Sequence, residues 1–233
     1  MSAPTPIYDR LLELPLFQGH SREDLTAILA KIKVDFRNYR PGQTIVCQDD
    51  PCRHIILLMD GEISLRRTSL HKDIIFVEHF TAPHVIGADT VFGLRQNYTH
   101  TIKACTEVRT LMLSKQNITD HLFSFDVFRY NMLNLLTTRI QRSNHMLWAS
   151  EEHNTLLRFV ALMKRNFTYH GGAKHIDGGM VALARMMDDT RIHVSDVLND
   201  LQSKGHLTIA RKHIEIPHLE NIITYAASLP YSS

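Results

Sequence analysis

Val181–Leu201, VALARMMDDTRIHVSDVLNDL, is the stretch whose apolar spacing decides the reading of the C-terminal half. A first helix carrying the small Ala184 ends near Met187, Asp188-Asp189-Thr190 makes the connection, and Thr190 is the expected N-cap of a second helix. In that second helix Val194, Val197, Leu198 and Leu201 share one face, which turns Arg191, His193, Ser195, Asp196 and Asn199 outward. Ile192 is the one apolar residue that breaks the pattern. Two short helices joined in this way form a helix-turn-helix pattern. Beyond Ser203-Lys204-Gly205, the run from His206 to Ile216 reads as two short strands around Arg211-Lys212, which is the form of a wing.

Upstream the periodicity changes twice. Leu11, Leu12 and Leu14 before Pro15, and Leu25, Ile28, Leu29 and Ile32 after the capping-box-like Ser21-Arg22-Glu23-Asp24, predict short helices between Tyr8 and Lys31. From Val34 to Leu113 the chain carries β-rich runs at Ile55–Met59, Ile63–Leu65, Ile74–Phe80 and Val108–Leu113. Turn signals separate them at Arg40-Pro41-Gly42-Gln43, Asp49-Asp50-Pro51 and Asp60-Gly61, the last predicting a tight type I′ hairpin. Many short strands without intervening helices predict a closed double sheet or barrel rather than an α/β sheet.

After Ser114 the pattern is helical again. Leu133, Leu136, Ile140, Ser143 and Leu147 make a heptad-like seam, flanked by a stripe of Phe128, Met132, Leu135 and Met146. One such face closes the β domain, and the other meets either a second copy or the chain's own second domain. The dimer reading assigns Phe128, Met132, Leu133, Leu136, Ile140 and Leu147 to the interface. A further helix is expected over Glu151–Phe167, and Gly171-Gly172 and Gly178-Gly179 bound a loop or short hairpin.

A chain of 233 residues suits two modest domains. No run approaches the roughly 18 to 20 apolar residues of a membrane span, and the start MSAPTPIYDR lacks a signal-peptide pattern, so a cytoplasmic protein with no membrane partner is expected. Cys47, Cys52 and Cys105 form no CxxC pair and predict neither a disulfide framework nor a four-cysteine zinc site. The net charge is only +2. Residues 151–233 hold 9 Lys and Arg against 9 Asp and Glu, a neutral balance that runs against the basic footprint of a nucleic-acid binder. Seven of the 15 histidines lie there, so positive charge is expected to grow as pH falls through the histidine range.

Leu14-Pro15-Leu16-Phe17, then Tyr39-Arg40-Pro41-Gly42-Gln43-Thr44-Ile45 with Asp49-Asp50, then Ile55–Met59 running into Asp60-Gly61-Glu62-Ile63, and finally Val85-Ile86-Gly87 occur in a telling order. In that order they resemble the cyclic-AMP receptor protein and fumarate-nitrate regulator (Crp/Fnr) family over nearly the whole chain. The resemblance implies an α+β protein: an N-terminal β-roll of the double-stranded jelly-roll, cyclic-nucleotide-binding-like type over 1–124, a dimerisation helix over 125–150, and a C-terminal winged helix-turn-helix over 151–233. It also implies an effector pocket, which falls on Gly87, Ala88, Asp89, Arg95, Gln96, Asn97, Tyr98 and Thr99 together with Tyr130 and Asn134 of the long helix.

Departures from the family pattern narrow the function. The cyclic-AMP-binding members carry a Glu and an Arg-Ser pair where this chain has Ala88 and Gln96-Asn97, with Arg95 one residue away. An unpaired cyclic phosphate is costly to desolvate, so a small effector other than cyclic AMP is expected. No N-terminal cysteine cluster is present to hold the iron-sulfur centre of the oxygen-sensing members. His20, His54, His71, His79, His84, His100 and His121 leave haem ligation open but include no His-x-His, so no metal site is assigned and the cofactor stays unknown. In the second helix Arg191 keeps the family's early Arg, while Ile192 and Asp196 replace a Glu and a later Arg. The operator is therefore expected to differ.

The reading is of a non-enzymatic, homodimeric, sequence-specific DNA-binding transcription regulator. Thr190, Arg191, His193, Ser195, Asn199, Arg211 and Lys212 contact a palindromic operator, and RNA polymerase and a small-molecule effector are the other partners. Two alternatives stand beside it: a sensor of the same fold that has lost DNA binding and acts through protein contacts, and a cupin-type metalloenzyme, which the missing His-x-His disfavours.

Overall fold

The computed structural model describes residues 7–32, 34–147 and 154–228. These fall into two compact units, one drawn from 1–64 and 80–141, the other from 65–79 and 142–233. In chain order, helices α1 (Ile7–Glu13) and α2 (Arg22–Lys31) precede eight strands: β1 (Asp35–Tyr39), β2 (Thr44–Val46), β3 (His54–Asp60), β4 (Glu62–Thr68), β5 (Ile74–Thr81), β6 (His84–Ile86), β7 (Thr101–Ala104) and β8 (Val108–Ser114). The helices α3 (Lys115–Asp120) and α4 (Asp126–Leu147) follow. Then come α5 (Thr155–Asn166), β9 (Lys174–Gly178), α6 (Met180–Met186), α7 (Arg191–Ser203), β10 (Thr208–Ala210), β11 (His213–Ile216) and α8 (Leu219–Ser228).

In the first unit β1, β8, β3 and β6 form an antiparallel sheet in that order, and β2 pairs with β7. The five residues Ile55–Met59 of β3 are all buried, so both faces of this strand are covered. Two-sided burial needs the uninterrupted apolar run that the sequence provides. Ser21 starts α2 as expected: its Oγ accepts from the Asp24 amide at 3.0 Å, and the Asp24 carboxylate accepts from the Ser21 amide at 3.1 Å. Leu25, Ile28 and Ile32 are buried below.

The Asp60-Gly61 turn departs from expectation. Its strand β3 has β8 and β6 as neighbours, so the turn carries the chain out of this sheet instead of closing a hairpin of β3 with β4. Gly61 has φ +89°, and a Cβ there would lie 2.2 Å from the Glu107 carbonyl oxygen, which leaves room for glycine alone. Asp60 beside it accepts from Arg109 and, at 3.1 Å, from Arg10, tying α1 to the strand end.

One face of α4 completes this unit. Phe128 and Met132 are buried, with the Phe128 ring 5.6 Å from that of Phe17, and Asn131 Nδ2 donates to the carbonyls of Leu16 and Gln18 at 3.2 and 2.8 Å. The amide thereby fixes the Leu14-Pro15-Leu16-Phe17 turn against the helix.

In the second unit β10, β11, β9 and β5 run antiparallel side by side. Ile74, Phe76, Ile176 and Ile214 alternate inward from three of these strands to meet Phe159, Leu183, Val194 and Leu198 of the helices. Strand β5 thus belongs with the C-terminal half of the chain. Its register pairs Glu78 with Lys174, and both side chains are buried, 1% and 4% exposed, with Nζ 3.3 Å from Oε2. The two carboxylate oxygens also accept from the backbone amides of Thr168 and Tyr169 at 2.8 and 3.4 Å. Gly178 closes the other end of the ladder, where a Cβ would stand 2.8 Å from the Asp73 carbonyl oxygen.

A charge buried this deeply is costly unless it stays paired. Lys174→Met is expected to lower stability by about 3–5 kcal/mol in urea denaturation, and the double variant Glu78→Gln/Lys174→Met to recover most of it. A single-variant loss below about 1 kcal/mol, the range of solvated surface pairs, would show that water reaches Glu78.

Candidate functional site

The turn between α6 and α7 is built by backbone capping and one carboxylate. Met187 N donates to the carbonyls of Leu183 and Ala184, both at 3.1 Å, and Asp189 N donates to Ala184 O at 3.1 Å. Thr190 is the N-cap of α7, its hydroxyl accepting from the His193 amide at 3.2 Å. The Asp189 carboxylate accepts from Thr155 Oγ1 at 2.6 Å and from the Thr190 amide at 2.7 Å, and lies 2.9 Å from His193 Nδ1. The Thr155 hydroxyl above all, then His193 and the Thr190 amide, hold its pKa down to about 2. A fixed anion here suits the positive end of α7.

Val194, Leu198 and Leu201 are buried, and Arg191, Ile192, His193, Asp196 and Asn199 are exposed, with Ser195 half-buried. Hairpin β10–β11 turns at Arg211-Lys212, both exposed; Lys212 has φ +59°, and its carbonyl accepts from the Gly178 amide at 2.9 Å. The charges of the second unit, which adds residues 65–79 to the neutral stretch 151–233, are paired unevenly. Asp73, Asp177 and Asp200 pair with Arg185, Arg66 and Lys204, as Glu78 does with Lys174, whereas Arg191, Arg211 and Lys212 form no ion pair among the described residues. His193 and His213 each face a carboxylate, Asp189 and Asp177. A cavity of about 120 Å³ under the hairpin, lined by Ile74, Met180, Leu183 and Ile209 among others, is below the roughly 300 Å³ at which small-molecule pockets begin.

In the first unit the residues expected around an effector divide into two sets. Gln96 O accepts from the Cys52 amide at 2.7 Å, Asn97 Nδ2 donates to Asp49 O at 2.7 Å, and the buried Tyr98 donates its hydroxyl to His54 O at 3.1 Å. These three stitch the 94–100 loop to residues 47–54. Burial pushes the Tyr98 phenol far up, so it remains a donor. Arg95 and Thr99 are exposed, Tyr130 is 67% exposed, and Asn134 is exposed too.

The second set centres on a residue the sequence reading passed over. Arg139 Nη1 lies 2.7 Å from Asp89 Oδ1 and Nη2 donates to Val85 O at 3.2 Å, so α4 is held directly to the segment containing Gly87 and the buried Ala88. His84 stacks on Phe80 at 4.4 Å, and burial, reinforced by the Arg139 charge, lowers its pKa to about 4. The signal was present: Phe128, Met132, Leu135 and Arg139 continue one helical stripe, and an Arg on an inward stripe needs an internal partner.

Along α4 the dimer residues also divide. Phe128 and Met132 are in the protomer's own core, Leu136 is half-buried, and Leu133 and Ile140 are 56% and 57% exposed. The side chain of Leu147 lies outside the described residues. Val127 and Tyr130 extend the exposed stripe toward the start of the helix.

Residues 36–124 match the cyclic nucleotide-binding domain family. No curated protein matches the chain significantly. Among solved structures, the catabolite activator protein of Thermus thermophilus is similar at 19% identity and a TM-score of 0.53, over 93% of this chain and 100% of that one. The N-terminal domain of a transcriptional regulator from Streptomyces coelicolor has 22% identity and a TM-score of 0.50, over 62% of this chain and 99% of that one. The c-di-GMP responsive global regulator CLP of Xanthomonas campestris has 17% identity and a TM-score of 0.50, over 84% of this chain and 99% of that one. The likeness establishes the fold: a cyclic-nucleotide-binding β-roll of antiparallel sheets with accompanying helices.

His84 supplies a test of the Arg139 region. Its folded pKa lies below the unfolded reference near 6.5, so the unfolded chain takes up the proton first and stability falls as pH drops from about 6.5 to about 4. Between pH 7.5 and 5, His84→Gln is expected to lose about 1–2 kcal/mol less than the parent protein in urea denaturation. Identical losses in the two proteins would mean that His84 is solvated.

Proposed function

We propose that the chain is a homodimeric, effector-controlled transcription regulator that binds a palindromic operator. In this reading α6, the Met187–Thr190 turn and α7 are a helix-turn-helix, hairpin β10–β11 is its wing, and α7 enters the major groove. The observation that carries it is the outward face of α7: capped by Thr190, polar apart from Ile192, and followed by a hairpin whose two cations form no ion pair among the described residues.

Each residue then has a task set by its chemistry. Arg191 donates two hydrogen bonds to guanine O6 and N7, His193, Ser195 and Asn199 reach base edges or phosphates, and Thr190, Arg211 and Lys212 hold the backbone. Residues 1–124 sense the effector, 125–150 dimerise and 151–233 bind DNA. The exposed stripe of Val127, Tyr130, Leu133 and Ile140 supports pairing of α4 with its copy, since an apolar stripe at this spacing is what a two-helix seam uses. The effector is a small polar molecule received near Gly87, Ala88 and the Asp89–Arg139 ion pair, with Arg95 and Thr99 accessible to it. Kinship of fold with a catabolite activator and a c-di-GMP responsive regulator supports ligand control. RNA polymerase is the further partner, and the cytoplasm the place of action.

One observation favours the second reading, a sensor acting through protein contacts. Asp196 lies exposed one turn after Ile192, where a carboxylate repels phosphate.

Selection of random-sequence DNA by the full chain is expected to enrich a two-fold symmetric site. In fluorescence anisotropy Arg191→Ala should relax one base pair per half-site, worth about 1–3 kcal/mol of discrimination. Lys212→Ala should weaken binding to every sequence and reduce the salt slope by about one per protomer. No enrichment, or binding indifferent to both changes, would favour the sensor. Separately, Leu133→Glu with Ile140→Glu should give monomers in sedimentation that keep the parent's circular dichroism, because both side chains are already exposed in the protomer. A persistent dimer would place the interface elsewhere.

A further inference from the structure

Ile192 is the outward apolar residue of α7, and the proposed function gives it no task. It is 71% exposed in the first turn of α7, while Val194, Leu198 and Leu201 on the opposite side are fully buried. At 3.6 residues per turn, the direction facing directly away from these three is occupied by Ile192, Asp196 and Asn199, at i, i+4 and i+7. Arg191 and His193 flank this line, one on each side, and His193 is drawn back toward Asp189 at 2.9 Å. The central residue of the first turn is therefore a branched hydrocarbon projecting from a polar surface.

A lone exposed isoleucine is ordinary on a protein surface. Its position here is specific, however, because the N-terminal residues of a recognition helix are the ones that reach base edges. Among the groups the four bases present in the major groove, the 5-methyl of thymine is the one methyl, a projecting apolar group beside the hydrogen-bonding ones. A base edge with an unmet donor or acceptor against Ile192 would lose water without gaining a partner, which is unfavourable. A thymine methyl against it removes apolar surface from water on both sides.

We infer that Ile192 is a specificity-determining residue that selects a thymine in each half-site through contact with its 5-methyl group. The inference rests on the proposed regulator function and names the chemistry its first turn reads. Asp196, one turn further along the same line, is a carboxylate that can accept from the N4 amine of cytosine. The thymine is thus the apolar element of a readout that departs from an arginine-dominated one.

The test uses the full-length protein and an operator recovered from a random-sequence pool. Each thymine of the half-site is replaced in turn by deoxyuridine, which deletes the methyl group and leaves every hydrogen-bonding atom in place. One position per half-site is expected to lose about threefold to fivefold in affinity, the scale of one buried methyl. Ile192→Ala should bind the thymine and uridine operators equally, and Ile192→Val should keep part of the difference. Because the side chain is exposed, the melting temperature of these variants should match the parent. Uridine operators bound as tightly as thymine operators at every position, or a thymine preference unchanged in Ile192→Ala, would overturn the inference and leave DNA binding intact. A pool from which no sequence is enriched would overturn the regulator reading and this inference with it.

Discussion

The second unit depends on one buried ion pair. Glu78 and Lys174 face each other across the β5–β9 ladder, and the same carboxylate takes the amides of Thr168 and Tyr169. Strand β5 and the 168–174 stretch, about ninety residues apart in sequence, are thereby held at one point, and each would leave a polar group unsatisfied in the interior if the other were withdrawn. Phe76, two residues before Glu78, packs edge-on against Phe167 at 5.6 Å, and Ile74 and Phe76 belong to the apolar core that also takes in Val194 and Leu198 of α7. The orientation of α7 is thus set by burial of residues that belong, in sequence, to the β-rich half. One strand further along the chain, the same backbone reaches Asp89 and its ion pair with Arg139.

The features legible in the sequence are those encoded within a few residues. The Ser21 capping box, the Thr190 cap, the buried stripe of α7 and the turn at Arg211-Lys212 are local, and each has its expected geometry. The two apolar stripes of α4 were also readable as separate faces, although spacing alone did not say that Phe128 and Met132 face inward and Leu133 and Ile140 outward. What stayed hidden is non-local. Ile74–Glu78 reads as a strand, but nothing in its own residues names a partner about a hundred positions away. Asp60-Gly61 carries a good hairpin signal and is used for a change of direction, because Gly61 must pass against the backbone of Glu107.

Part of the expected effector set has internal partners that were hidden for the same reason. Asn97 and Tyr98 look like donors available to a ligand, yet the loop they occupy has no sheet of its own and uses them to bond back to residues 49 and 54. Arg139, which the sequence reading passed over, is the group whose charge is kept inside by a carboxylate and a carbonyl. Polar side chains near a ligand-binding segment are first claimed by the backbone's own unsatisfied groups.

The charge pattern of the second unit fixes how a DNA complex of this protein would divide its energy. Non-specific affinity scales with the number of phosphates neutralised, with a slope of about −0.9 per contact in log K against log salt. Here Lys174, Arg185, Arg66 and Lys204 are already committed to carboxylates, and Asp196 adds an exposed negative charge to the outward face of α7. Few cations remain for the backbone: Arg191, Arg211 and Lys212 are the ones the helix and hairpin present. A binder so equipped gains less from counterion release than a basic domain of the same size, so base contacts must carry a larger share of its affinity. A thymine methyl against Ile192 contributes without any charge, and it persists at salt concentrations that screen the phosphate contacts. The neutral composition, which on its own argues against nucleic-acid binding, is consistent with a regulator that discriminates among sequences more than it adheres to DNA in general.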